Sequence, residues 1–221
     1  QHQKKENRAI IMNTSLAFPL TTKVTALPYH SEPALLFNTL CEHRHHTLLL
    51  ESAQIDTKAN LKSLLIVDSA LRISANKNQV TVDALSLNGQ HILALLKNAL
   101  KEKSTLSVER AEQCVFTFAS SSFPQDEESK LKAASVFDVL RFFLANSTAK
   151  EANAVFVGGL FAYDLVNGFE SLPDLEAAFS CPDYCFYLAE QLIVIDHQHH
   201  HSQLISVAFT DNPQECQRLD N

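Results

Sequence analysis

Apolar and polar positions along this chain fall into two kinds of pattern, one with the period of a strand and one with that of a helix. Leu48, Leu49 and Leu50 run straight into Glu51 and Ser52. A short apolar run ending in a carboxylate and a hydroxyl predicts a buried strand that delivers two polar side chains at its end. Further on, Leu71, Ile73 and Ala75 alternate with Arg72 and Ser74, Asn76-Lys77-Asn78 turns the chain, and Val80, Val82 and Ala84 alternate with Gln79, Thr81 and Asp83. That is a β-hairpin with one buried face. Cys114–Phe118 reads as another strand and the glycine-containing Ala154–Phe161 as an interior one. Phe186–Ile195 reads as a long strand, paired through a histidine-rich turn with Leu204–Phe209.

The helical period appears in three places. Ser31, Glu32 and Pro33 make a helix start, with Leu36, Phe37, Leu40 and Cys41 on one face and a stop in Glu42–His46. Asn88-Gly89 leads into Ile92, Leu95, Leu96, Ala99 and Leu100, the i, i+3, i+4, i+7, i+8 stripe of an amphipathic helix. Ser135 with Asp138 three residues on resembles a capping box, opening a helix whose face is Val136, Leu140, Phe143 and Leu144. Asn212-Pro213 is a further N-cap and N1 pair, close to the last residue, Asn221. A chain that stops just after a helix start reads as a piece of a longer one. Helices interspersed with hairpins, without strict βαβ repetition, predict an α+β fold with mostly antiparallel strands.

Composition changes this picture little. The chain has 221 residues, 46% hydrophobic and 19% charged, enough for a sizeable core. Its formal charge of −7 leaves no basic surplus to neutralise phosphates, so nucleic acid is not the expected partner. No apolar segment approaches the ~18 residues that cross a bilayer, and no secretory h-region follows Lys4, Lys5 and Arg8. A cytoplasmic location is expected. The five cysteines are odd in number and scattered, which reads as free thiols rather than a disulfide framework. The one methionine is Met12, so residues 1–11 are expected to be a disordered upstream extension and 12–221 the domain proper.

Candidate chemistry is sparse. Lys62 lies eleven residues beyond Glu51, across the polar stretch Gln54–Asn60. If that stretch folds back, Glu51, Ser52 and Lys62 converge on a small zwitterion, the carboxylate facing its ammonium and the lysine its carboxylate. Solvated surface charge is the simpler account of such a pair. Three of the four glycines, Gly158, Gly159 and Gly168, lie close together, and the first two lead directly to Tyr163-Asp164. A glycine pair in a strand marks a bulge or a close backbone approach; it is not a dinucleotide fingerprint, which needs a third glycine at the right offset. Histidines cluster at His43, His45 and His46 and again at His197, His199, His200 and His201. Alternate imidazoles on a strand suit a metal, but no cysteine or carboxylate completes a tetrahedral set, and a solvated turn explains the second cluster more simply. No catalytic centre and no metal site emerge from the residues themselves.

LLLESAQIDTKANLKSLLIVDSALRI (48–73), VGGLFAYDLVNGFESLP (157–173) and CPDYCFYLAEQLIVIDHQ (181–198) together resemble anthranilate synthase component I in its enterobacterial form. The resemblance covers nearly all of 12–221. It implies the N-terminal part of an α+β sandwich whose sheets are completed by a C-terminal chorismate-binding domain absent from this chain. In that family the glutamate–serine pair and the following lysine belong to an allosteric pocket for L-tryptophan; matched by residue, these are Glu51, Ser52 and Lys62. The resemblance further implies that the whole subunit takes chorismate and ammonia, the latter delivered by a glutamine amidotransferase component II, and releases anthranilate and pyruvate. Mg²⁺ and the catalytic residues belong to the C-terminal domain, so this stretch by itself is expected to be inactive. Aminodeoxychorismate synthase component I shares the fold and is the alternative within the superfamily; a non-enzymatic small-molecule or metal-binding module is the alternative outside it.

Overall fold

A computed structural model describes residues 19–52, 61–119, 133–145, 153–163, 165 and 181–220. Within them, nine strands form one antiparallel sheet: β1 (Thr21–Leu27), β2 (Leu48–Glu51), β3 (Lys62–Asn76), β4 (Gln79–Ala84), β5 (Thr105–Glu109), β6 (Gln113–Thr117), β7 (Val157–Phe161), β8 (Tyr184–Asp196) and β9 (His201–Ala208). The helices are α1 (Pro33–Cys41), α2 (Leu87–Leu100), α3 (Asp138–Ala145) and a last short turn, α4 (Pro213–Cys216). The α+β reading with antiparallel strands therefore holds.

Two long strands organise the sheet. β3 and β8 pair with each other from Lys62↔Asp196 to Ala75↔Tyr184. The other edge of β3 is shared by β2, opposite residues 63–66, and β4, opposite residues 71–76. The other edge of β8 is shared by β7, opposite residues 184–188, and β9, opposite residues 191–196. β1 closes one end against β9, and β6 then β5 close the other against β4. The register of β3 against β8 slips between Ile66 and Leu71, and such bulges bend a strand and sharpen its twist. Loops converge on this bend: Ser69 donates its hydroxyl to His46 O (2.6 Å), Arg44 pairs with Asp68, and Leu85 N–H donates to Ala70 O (2.8 Å).

The hairpins arise where the alternation placed them. Asn76 and Gln79 face each other across a turn in which Lys77 takes a left-handed φ of 54°, and the β8–β9 turn does the same at His200 with φ 48°. β1 has a run of exposed positions, β5 alternates over only five residues with Leu106 and Val108 half-buried, and neither strand contains a buried residue.

The sheet buries apolar residues on both faces. The larger core gathers Leu71, Ile73, Val80, Val82 and Phe116 under α2 and α3, each side chain contributing about 1.5–3 kcal/mol by leaving water. On α2 the buried residues are Asn88, Gly89, Ile92, Leu93, Leu96 and Leu100, with Ser86 capping the N-terminus by accepting from Gly89 N–H (3.1 Å). The capping box expected before α3 is present in part, as Ser135 N–H donates to the Asp138 carboxylate (2.8 Å). The buried face of α3 differs from the one expected: Val139, Phe142 and Phe143 turn inward, while Leu144 is 74% exposed. The smaller core packs α1 on the opposite face, joining Cys41, Leu36 and Phe37 to Leu49, Leu65, Ile193 and Ile195.

Candidate functional site

β2 ends at the rim of the sheet, where the predicted site residues lie. Its register with β3 is Leu48↔Ile66, Leu49↔Leu65, Leu50↔Leu64 and Glu51↔Ser63. The ladder extends one step further, with Ser52 N–H donating to Lys62 O (3.2 Å). Ser52 and Lys62 are therefore opposite each other, and residues directly opposite in an antiparallel pair share a face with side chains close together. The strand ends on either side of the polar stretch bring these two into proximity; Gln54–Asn60 itself lies outside the described residues.

Glu51 is placed differently. Successive side chains on a strand point to opposite faces. Ser52 and Lys62 follow Leu48, Leu64 and Ile66, which belong to the larger core. Glu51 follows Leu49 and Leu65, which belong to the smaller core. The three residues meet at one corner of the sheet with Glu51 across its rim from the other two, and all three are exposed. A ligand touching all of them straddles the strand ends.

A neighbouring constellation went unread in the sequence. His197 N–H donates to Leu61 O (3.0 Å), continuing β8 alongside the start of β3. Its ring links the Ser63 hydroxyl on Nε2 (2.9 Å) to the Tyr29 hydroxyl on Nδ1 (3.1 Å), and His200 packs edge-on to the Tyr29 ring at 4.8 Å. Ser63 is itself buried and opposite Glu51. His197 opens the turn as expected but is a partly buried bridge between β3 and the segment before α1, not a solvated side chain. The only local clue was its place immediately after the apolar strand. His199 does lie in the turn, where its ring and its N–H bond Asp196 (3.0 Å each) and hold that carboxyl below the usual carboxylate range. Among the described residues no three His, Cys, Asp or Glu side chains gather as a metal requires.

The glycine pair is explained within this chain. The β7–β8 register runs unbroken from Val157↔Leu188 to Phe161↔Tyr184, so the pair is not a bulge. A Cβ on Gly159 would collide with Cys185 O and lie 2.6 Å from Phe186 Cα, both backbone atoms of β8. On Gly158 it would lie 2.9–3.2 Å from Phe156, Leu48 and Ile66. Tyr163 is 91% exposed; Asp164 and Gly168 fall outside the described residues.

No family model matches the chain. It is similar to anthranilate synthase component 1 of Escherichia coli (strain K12), with 50% identity over 194 residues that cover 86% of this chain and 37% of that protein. The protein of the same name from Salmonella typhimurium is 50% identical over 197 residues (87% and 37%), and that from Serratia marcescens 46% identical over 212 residues (95% and 40%). The resemblance read from the sequence thus holds along most of the chain, which spans about two fifths of the length of these relatives.

Proposed function

We propose that this chain is the regulatory, N-terminal portion of an anthranilate synthase component 1. The observation that carries the proposal is the 50% identity sustained over 86% of the chain. On this reading the whole protein adds ammonia, supplied from glutamine by a component II amidotransferase, to the chorismate ring with loss of the ring hydroxyl as water, and then eliminates pyruvate to leave anthranilate. Catalytic residues and any Mg²⁺ ligands belong to the part of the protein outside this chain, and no step of the reaction is assigned to the residues described above.

The share of this chain is feedback sensing of L-tryptophan. Support comes from the β2–β3 register, which sets Ser52 opposite Lys62 beside Glu51 at an exposed corner. Lys62 offers an ammonium to the ligand carboxylate, Ser52 a hydroxyl, and Glu51, from across the rim, a carboxylate to the ligand ammonium. Because the corner is open, the remaining walls of the pocket come from the rest of the protein. Leu160 and Phe161 at the end of β7 and Tyr163 just beyond it, at 55%, 54% and 91% exposed, are consistent with a surface that the remainder covers.

The test uses the full-length protein. Tryptophan should inhibit anthranilate formation, and Ser52→Phe should raise the inhibitory concentration by at least about tenfold, the loss of one charge-assisted contact, while leaving uninhibited turnover near wild type. Equal loss of turnover and inhibition would sink the sensing role. A product other than anthranilate would sink the family reading.

A further inference from the structure

α1 is nine residues long and does not cover the whole of the face it packs on. Alongside Leu36 and Leu40 of α1 lies an apolar cavity of about 340 Å³, floored by Val67 of β3, Ile193 of β8 and Leu204 of β9. That volume is at the lower end of the roughly 300–1,000 Å³ of small-molecule pockets.

One polar group at the cavity is unaccounted for. Ser202 lines it, is 1% exposed, and its hydroxyl has no hydrogen-bond partner among the described residues. Its register places it beside Ile195 on one side and Leu27 on the other, so neither neighbouring strand offers a side-chain acceptor. Buried hydroxyls are nearly always satisfied, and an orphan facing a cavity is an unmet demand for a ligand atom or a water.

A cation marks the other end. Arg44 lines the same cavity, half exposed, with its Nη2 engaged by Asp68. Asp68 is opposite Gln191, and Gln191 is four residues along β8 from Ile195, the partner of Ser202. Four residues of strand span about 13 Å. A single elongated ligand therefore meets a buried hydroxyl at one end and a guanidinium at the other, with leucine, isoleucine and valine between and the polar side chains of Gln191 and His30 also in the lining.

We propose that this cavity is a second ligand site, for a small aryl carboxylic acid that carries a hydrogen-bonding group at the end remote from its carboxylate. The carboxylate lies at the mouth against Arg44, the ring lies between α1 and the sheet, and the distal polar atom reaches Ser202. Arg44 keeps its pair with Asp68 and uses its remaining donors, as the guanidinium fork allows. The site is separate from the corner at Ser52 and Lys62. Ser202 lies three strand spacings from Glu51 in the same row across the sheet, about 14 Å.

The test is methyl NMR titration of the 221-residue chain with three probes: 3-(4-hydroxyphenyl)propionate, 3-phenylpropionate, which lacks the distal hydroxyl, and 3-(4-hydroxyphenyl)propanamide, which lacks the charge. Shifts should be confined to the methyls of Leu36, Leu40, Val67, Ile193 and Leu204. The first probe should bind about tenfold more tightly than either of the others, the worth of one well-placed hydrogen bond or ion contact. Ser202→Ala should abolish the preference for the distal hydroxyl and Arg44→Gln the preference for the charge, whereas Ser52→Phe should change neither. No methyl shifts at millimolar probe would overturn the proposal. So would binding indifferent to both Ser202→Ala and Arg44→Gln, the outcome expected if the probes associate through apolar surface alone. Loss of binding in Ser52→Phe would merge the two sites and overturn their independence, without touching the feedback test above.

Discussion

His46 sits in the left-handed region, φ 62°, in the connection between α1 and β2. Its carbonyl accepts from Ser69 at the bend of β3, and its ring packs against Tyr187 at 5.8 Å. Burial, then the Arg72 charge and His45, hold its imidazole below the ordinary histidine value. A histidine with a lowered pKa in the folded state binds fewer protons than the unfolded chain does, so stability rises with pH through that window. Stability should therefore fall as pH drops below about 6.5 and passes through the lowered value. His46→Asn keeps a residue that tolerates positive φ and removes the proton site. Chemical denaturation at a series of pH values should show a shallower loss in the variant between about pH 7 and 5; parallel curves would contradict the placement of His46. Asp196 has its pKa lowered, so its contribution is present above the ordinary carboxylate value of 3.8 and is lost only in stronger acid, which separates the two effects. Neither environment was legible in the chain text. His46 and His197 read as members of polar clusters, and only the tertiary neighbours Tyr187, Tyr29 and Ser63 give them defined settings.

Elements were legible where periodicity and a local stop agreed. The β3–β4 and β8–β9 hairpins and helices α1 and α2 appear where alternation or a helical stripe met a turn or cap. The buried face of α3 was misphased: it has only eight residues, and a shift of one position exchanges Leu140 and Leu144 for Val139 and Phe142. Gly158-Gly159 read as a bulge or a close approach; the unbroken register removes the bulge, and which backbone approaches, that of β8, depends on a strand more than twenty residues away. Gly89 shows the same limit more sharply. It follows the α2 cap and read only as a helix lead-in, yet a Cβ there would overlap Ala70 O, at the bend of β3, and lie 2.9 Å from Ala70 C. Both of these are backbone atoms, and Ala70 O is fixed by the Leu85 N–H bond, so little can relax. Gly89→Ala should thus destabilise by about 3 kcal/mol, the upper end of the cost of overpacking, despite the better helix propensity of alanine. A change in denaturation midpoint corresponding to less than about 1 kcal/mol would show that α2 does not press on the bend.

At the scale of the molecule, the sequence offered strands but not their order. β3 and β8 pair although more than a hundred residues separate them, and no local pattern records such a choice. Their pairing makes an experimental ranking of amides. Residues 64–66 of β3 lie between β2 and β8, residues 71–75 between β4 and β8, and residues 192–195 of β8 between β3 and β9. These amides point alternately to two neighbours, so exposing the whole set requires two interfaces to part, and with them both cores, because Leu65 and Ile195 belong to the smaller core and Leu71, Ile73 and Leu192 to the larger. β1 and β5 are each held by one neighbour and contain no buried residue, so they can detach at the cost of a single ladder. Native-state hydrogen exchange should accordingly place the β3 and β8 amides at the global unfolding free energy, about 5–15 kcal/mol for a domain of this kind. Amides of β1 and β5 should exchange through openings at least about 2 kcal/mol cheaper, with weaker dependence on denaturant because less surface is exposed. Uniform protection across all nine strands would mean that the sheet opens only as a whole. Greater protection in β1 or β5 than in β3 would mean that the two long strands are not its centre.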